Sequence, residues 1–207
     1  MIGLVLAGGR SSRFGSDKSR AVLHPGAGNM TEWSCRLLAS LPGVEYAAVS
    51  CRPAQAGVLR QAGLLPIPDE ADGPPTPLRG LVAALKAAST AVLVMPCDLP
   101  LMTAGTLSLL LDARRKRREE HASALLRTCF VHADGRTEPL VAVYEFSSLP
   151  WLEAALHEGR FGIHSALPSW GNSLVPCPEE TAFLNMNTPE ERERALLLIN
   201  GKENLRP

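Results

Sequence analysis

The opening of this 207-residue chain constrains its fold more than any other segment. Met1-Ile2-Gly3-Leu4-Val5-Leu6-Ala7 is an apolar run that breaks directly into Gly8-Gly9, then into Arg10, Arg13 and Lys18. A run with no polar face reads as a strand covered on both sides, the usual condition of parallel strands in α/β sheets. Residues 91–95 repeat the pattern, residues 47–50 give a shorter version, and residues 64–68 supply a further candidate strand. Segments with helical spacing or composition lie at 31–40, 54–62 and 78–89. This alternation predicts a three-layer, doubly wound, mostly parallel sheet with right-handed crossovers.

The second half is less regular. A helix is expected over 103–120, then strands over 122–131 and 139–144 joined through the Asp134-Gly135 turn, a small antiparallel excursion. Residues 149–157 read as a helix and 159–162 as a loop. A closing helix over 189–199 has Thr188 as cap, Pro189 in its first position, Glu190 and Glu191 in its first turn, and Gly201 as its stop. Thr31 is expected to cap the first helix, with Ser34 in place of an acidic partner. With no repeat and no dividing linker, residues 1–207 read as a single domain.

Twenty-one basic and 21 acidic residues cancel, which argues against nucleic acid or an anionic membrane as a bulk partner. The basic run 114–118 is followed by Glu119-Glu120 and reads as a solvated helix end. No apolar run approaches the ~18 residues of a membrane span, and no basic leader precedes the first strand, so a cytoplasmic location is expected. The five cysteines are scattered without a C-x-x-C pair, which favours reduced thiols over a disulfide frame or zinc site.

In an open parallel sheet, ligands bind beyond the carboxyl ends of the strands. Gly8 and Gly9 lack a Cβ, so backbone N–H groups there can approach an anion, and Arg13 and Lys18 add positive charge. The loop is neither a Walker A sequence nor G-x-G-x-x-G, which removes the main support for a kinase, GTPase or dehydrogenase. Asp69-Glu70 follows the candidate strand 64–68, and Asp98 follows strand 91–95 within Pro96-Cys97-Asp98-Leu99-Pro100. A carboxylate fixed between two prolines suits Mg2+, which takes few protein ligands besides phosphate and water. Against this stands the plainer reading that Asp98 caps the helix near Thr103. Cys97 reads as small core filler at the strand end.

Leu6-Ala7-Gly8-Gly9-x-Ser-x-Arg13-Phe14-Gly15-x-Asp17-Lys18 resembles the signature of the nucleotidyltransferase superfamily, and its Gly-x-Asp-Lys form that of the molybdenum cofactor guanylyltransferases (MobA-type). The Pro96 to Pro100 motif resembles that family's metal motif and the segment from Glu138 to Tyr144 its substrate-side strand. Asn185-Met186-Asn187-Thr188-Pro189-Glu190-Glu191 is similar to its closing motif. The resemblance implies a Rossmann-like nucleotidyltransferase fold, with a nucleotide half over about 1–100 and an acceptor half over about 101–200. It implies Leu6, Ala7, Gly8, Gly9, Lys18, Ser50, Asp69 and Asp98 at GTP, and Asp98 on Mg2+. Arg13, Lys18 and Asp98 would be the catalytic groups, and Glu138, Arg160, Asn185 and Asn187 would face the acceptor. The implied reaction is GMP transfer from Mg·GTP to molybdopterin, in its molybdenum-loaded form, with transient contacts to other cofactor-biosynthesis proteins or recipient molybdoenzymes.

Two departures stand out. Arg79, in Pro77-Leu78-Arg79-Gly80, replaces the small residue of the family's Gly-Pro-Leu-Ala-Gly, and Ser50 stands where the family usually has Asn. Plainer roles remain for several residues: Asn187 as an organiser of the next helix, Glu138 as sheet support, His164 as a partly buried structural histidine. A cytidylyltransferase of the same superfamily and a non-catalytic nucleotide-binding protein remain as alternatives.

Overall fold

A computed structural model describes residues 1–7, 28–69, 73–121 and 125–203. Gly8, Gly9, Arg13 and Lys18 lie outside the described residues, as does Glu70. The elements run β1 (Ile2–Leu6), α1 (Met30–Ala39), β2 (Ala47–Cys51), α2 (Ala56–Gln61), β3 (Pro66–Pro68) and α3 (Pro77–Ala88). They continue with β4 (Val92–Pro96), α4 (Ala104–His121), β5 (Arg127–Val131), β6 (Thr137–Tyr144), α5 (Leu149–His157), β7 (Asn172–Pro176) and α6 (Pro189–Glu203).

The described strands form one sheet in the order β3-β2-β1-β4-β6-β5-β7. β1 pairs in parallel with both β2 and β4: the chain steps outward from β1 to β2 and β3, then crosses back past β1 to β4, so strand order reverses between β1 and β4. β6 is antiparallel to β4 and to β5, while β7 is parallel to β5. Only β6 is therefore reversed among the described strands, which is the antiparallel excursion expected from the Asp134-Gly135 turn.

The continuous apolar character of β1 and β4 has a direct cause in the packing. Val5, Leu93 and Met95 point into one core with Leu38 of α1 and Leu107 of α4. Ile2, Leu4, Val92 and Val94 point into the other with Leu81 and Leu85 of α3 and Leu152 of α5. Alternate side chains thus bury on opposite faces, and neither face reaches water. At ~25 cal/mol per Å² of apolar surface, this two-sided burial is the main stabilising term. Gly3 is required by the closeness of α1: a Cβ there would stand 2.8 Å from the Leu38 Cβ.

Several local expectations are corrected. Asn29, not Thr31, caps α1: its side chain accepts from the Glu32 N–H while the Glu32 carboxylate accepts from the Asn29 N–H, a reciprocal capping box. The strand expected over 122–131 begins at Arg127, and α6 runs past Gly201 to Glu203. Strand β7 has no counterpart in the sequence reading. The basic run is only partly solvated. Arg115 and Arg117 make exposed pairs with Asp112 and Glu120, but Arg114 grips both oxygens of Glu145 at 2.5 and 2.9 Å, with both side chains largely buried. That bidentate pair fastens α4 to the end of β6. The five cysteines are free thiols, and burial pushes Cys35 up to about 12 and Cys51 up to about 11. No helix among the described residues is long and apolar enough to cross a membrane.

The Gly3 contact is testable. Gly3→Ala should destabilise the fold by about 1–3 kcal/mol through overpacking against α1, read as a lower urea midpoint with an unchanged slope.

Candidate active site at the carboxyl ends of β1 and β4

The strand reversal places the exits of β1 and β4 side by side. Leu6 is in register with Pro96, the Cys97 N–H donates to the Leu6 carbonyl at 3.2 Å, and the Ala7 N–H donates to the Ser50 carbonyl at 3.4 Å. The segments that continue into Gly8 and into Asp98 therefore leave the sheet as neighbours, flanked by the end of β2. A topological switch of this kind is where open α/β sheets bind ligands.

Asp98 sits half-buried in the turn after β4, between the core and the surface. Its carbonyl accepts from the Met186 N–H at 2.9 Å, which ties the segment between Asn185 and Asn187 against the turn. The capping alternative for Asp98 is not what caps α4: the Thr103 hydroxyl accepts from the Thr106 N–H at 3.0 Å. A half-buried carboxylate at a strand exit is a hard-oxygen donor, which suits a small divalent ion that takes its other ligands from water and phosphate. Asp98 fits a metal-holding role on that chemistry.

On the β2–β3 side, the buried Ser50 hydroxyl donates to Asp69 Oδ1 at 2.7 Å. Burial raises the Asp69 carboxyl above its ordinary value, while the Ser50 hydrogen bond and the Arg79 charge oppose that rise. Helix α3 reaches this pair because residue 80 is glycine: a Cβ there would lie 2.1 Å from Ser50 Oγ and 3.1 Å from Asp69 Oδ1. Ser50, Asp69 and the first turn of α3 thus form one packed flank. Sequence reasoning placed Ser50 and Asp69 together only through resemblance; their hydrogen bond spans two strands and has no local signature.

The expected acceptor residues divide. Asn185 and Asn187 line a cavity of about 260 Å³ with Phe183, Glu191, Arg194 and Ala195. Glu191 accepts from the Asn187 and Thr188 N–H groups at 2.5 and 3.0 Å, and Thr188 Oγ1 accepts from the Glu191 N–H at 3.2 Å, so the Thr188 cap holds. Arg160 is exposed, and its guanidinium donates to Glu158 and to the Ser165 carbonyl, which commits it to its own loop. Arg194, a residue the sequence reading passed over, supplies the guanidinium beside the asparagines. His164 is exposed, so a partly buried structural role does not hold for it.

Glu138 belongs to an ionic network at the same end of the sheet. Buried His132 places Nε2 at 2.7 Å from Glu138 and Nδ1 at 2.7 Å from Glu180, and its ring stands edge-on to Phe183 at 5.4 Å. Arg136 donates to Glu138 and approaches Glu180. The ligand atoms of His132, Cys177 and Glu180 lie within 4.8 Å of one another, a spacing open to a metal. With His132 protonated, however, two cations already balance two carboxylates and both ring nitrogens are engaged, so the network is self-sufficient as an ion-pair cluster. Glu138 thereby links the end of β5 to the start of β6 through His132 and Arg136.

The site is thus a carboxylate at the switch point of a doubly wound sheet. Residues 3–170 match the model of the MobA-like NTP transferase domain, and the chain belongs to that family. A probable molybdenum cofactor guanylyltransferase from Opitutus terrae is 32% identical over 94% of each chain. A molybdenum cofactor guanylyltransferase from Cereibacter sphaeroides is 31% identical over 96% of this chain and 97% of its own. In fold, the chain matches molybdopterin-guanine dinucleotide biosynthesis protein A from Archaeoglobus fulgidus with a TM-score of 0.76 at 24% identity, covering 97% of this chain and all of that one. The protein is an enzyme of the nucleotidyltransferase class, a family in which a divalent metal is typical.

The His132 network carries a pH signature. Burial alone disfavours the imidazolium, but the hydrogen bonds from Glu180 and Glu138 outweigh it and raise the pKa above its ordinary value. A raised folded pKa means that the stabilisation is fully present below the unfolded value of about 6.5 and disappears as pH rises through the folded value. Stability measured against pH should therefore fall across that window, and His132→Gln should flatten the fall. An unchanged profile in the variant would reject the assignment.

Proposed function

We propose that this enzyme transfers GMP from Mg·GTP to molybdopterin, releasing pyrophosphate and forming the guanine dinucleotide form of the cofactor. The observation that carries the reading is the adjacency of the β1 and β4 exits, one leading into the glycine-and-lysine loop and the other into Asp98. Two relatives that align over nearly their whole length bear guanylyltransferase names, which supports guanine and molybdopterin as the substrates.

In this reading the acceptor's terminal phosphate oxygen attacks the α-phosphorus of GTP in line. The bond from the α-phosphorus to the bridging oxygen breaks, and that oxygen leaves with pyrophosphate. A phosphate monoester is largely ionised at neutral pH, its second pKa being about 6, so no strong base is needed. The difficulty is holding two anions together. Asp98 would hold the divalent ion, which when bound neutralises phosphate oxygens. Gly8, Gly9, Arg13 and Lys18 are assigned to the triphosphate, and Leu6 and Ala7 to the approach of the nucleoside. Ser50 and Asp69 form its far flank, with the Ser50 hydroxyl orienting the Asp69 carboxylate. Asn185 and Asn187 border the acceptor side, held to Asp98 through Met186. Glu138 and Arg160 are assigned to the outer acceptor side, Arg160 through an exposed guanidinium that also donates to Glu158 and the Ser165 carbonyl.

Pyrophosphate release with purified molybdopterin should be supported by GTP well above CTP, ATP or UTP; CTP turnover would establish the cytidylyltransferase reading instead. Asp98→Ala should lose most of that activity while keeping the far-UV CD spectrum and urea midpoint near those of the parent. Near-normal turnover by the variant would remove Asp98 from the mechanism. Tight GTP binding with no pyrophosphate release in the presence of acceptor would point to a binding protein.

A further inference from the structure

Arg79 breaks two local rules at once. It occupies the first turn of α3, where the helix dipole opposes a cation. Its Nε is buried without a hydrogen-bond partner, an arrangement that costs stability in an otherwise satisfied fold. Such violations concentrate at functional sites.

The side chain has a defined place. Its Nη2 lies against the backbone of residue 73, 2.1 Å from where a Cβ on Gly73 would stand, and its charge acts on Asp69. The neighbouring Thr76 hydroxyl is likewise buried without a partner. A guanidinium, a carboxylate and a hydroxyl thus share the flank formed by Ser50, Asp69 and Gly80, on the β2–β3 side of the strand that leads into the phosphate loop.

We infer that Arg79 is a base-reading residue, donating to O6 and N7 of the guanine in the bound nucleotide while Asp69 faces the adjacent N1–H and N2 amino edge. The inference rests on the nucleoside reading of this flank and deepens it. Guanine presents two adjacent acceptors, O6 and N7, which match the paired donors of a guanidinium. Adenine carries an amino donor at the position of O6, so the same guanidinium meets a donor there. Cytosine and uracil lack the imidazole ring and with it N7. Asp69 complements the choice, because a carboxylate accepts from the N1–H and amino group of guanine, whereas adenine N1 is an acceptor.

The test is equilibrium binding of Mg·GTP, Mg·ATP and Mg·7-deaza-GTP to the full chain and to the variants Arg79→Ala and Arg79→Lys. The parent should prefer GTP to both analogues. Arg79→Ala should weaken GTP by about tenfold to a hundredfold, the range of one bidentate base contact, and should lose less with 7-deaza-GTP, which has already given up N7. Arg79→Lys keeps the charge without the fork, and should bind GTP more weakly than the parent while showing reduced discrimination against 7-deaza-GTP. If Arg79→Ala is too unstable to purify, this lysine variant carries the test alone. Unchanged ratios of GTP to ATP and to 7-deaza-GTP in the variants would overturn the inference, even where overall affinity or stability drops, because a merely structural arginine lowers all three together. A parent that binds GTP but does not distinguish it from 7-deaza-GTP would overturn it while leaving the nucleotidyltransferase reading intact. A parent that binds no nucleoside triphosphate would remove both.

Discussion

The pairing of β1 with β4 is the constraint on which the remaining structure depends. Both strands are apolar on every residue face because helices cover the sheet from both sides, so a polar group can appear only where a strand ends. Since the crossover from β1 runs to β2 on one side while that from β3 returns past β1 to β4 on the other, the exits of β1 and β4 stand together. The hydrophobic effect therefore does more than stabilise the fold. By expelling charge from the strand interiors it gathers Asp69, Asp98 and the exit of β1 at one end of the sheet.

The two sides of that end are built differently. On the β2–β3 side, contact is close and specific: Ser50, Asp69 and Gly80 touch through single hydrogen bonds and van der Waals distances that admit no extra methyl group. On the β5–β6 side, His132, Arg136, Glu138 and Glu180 form a balanced ionic cluster whose outer members are exposed. The first arrangement suits discrimination among ligands of similar shape, because shape and donor pattern are both fixed. The second suits support of a turn, since exposed pairs tolerate adjustment at small energetic cost.

The architecture was legible because burial leaves a periodic trace. Continuous apolar runs marked β1 and β4, and Asp134-Gly135 marked the reversed strand. β7 escaped notice because it is partly exposed and carries no continuous apolar run, and it is held by pairing with β5 at the end of the strand order. Asn29 was missed as a cap because its partner Glu32 lies within the helix it initiates, and Thr31 offered a rival hydroxyl in nearly the same place. Asp98 could be singled out from a strand followed by a proline-bounded carboxylate. The Ser50–Asp69 pair and the link from Met186 to Asp98 join residues distant in sequence, and no local pattern announces such contacts. Arg160 donates to neighbours two and five positions away, a local arrangement that the sequence reading did not anticipate.

The bond from the Met186 N–H to the Asp98 carbonyl joins the turn after β4 to the segment that precedes α6. The turn bearing the carboxylate thus takes one of its backbone partners from residues far along the chain, outside the sheet altogether. A substitution in that segment would reset the backbone under Asp98 without disturbing any strand.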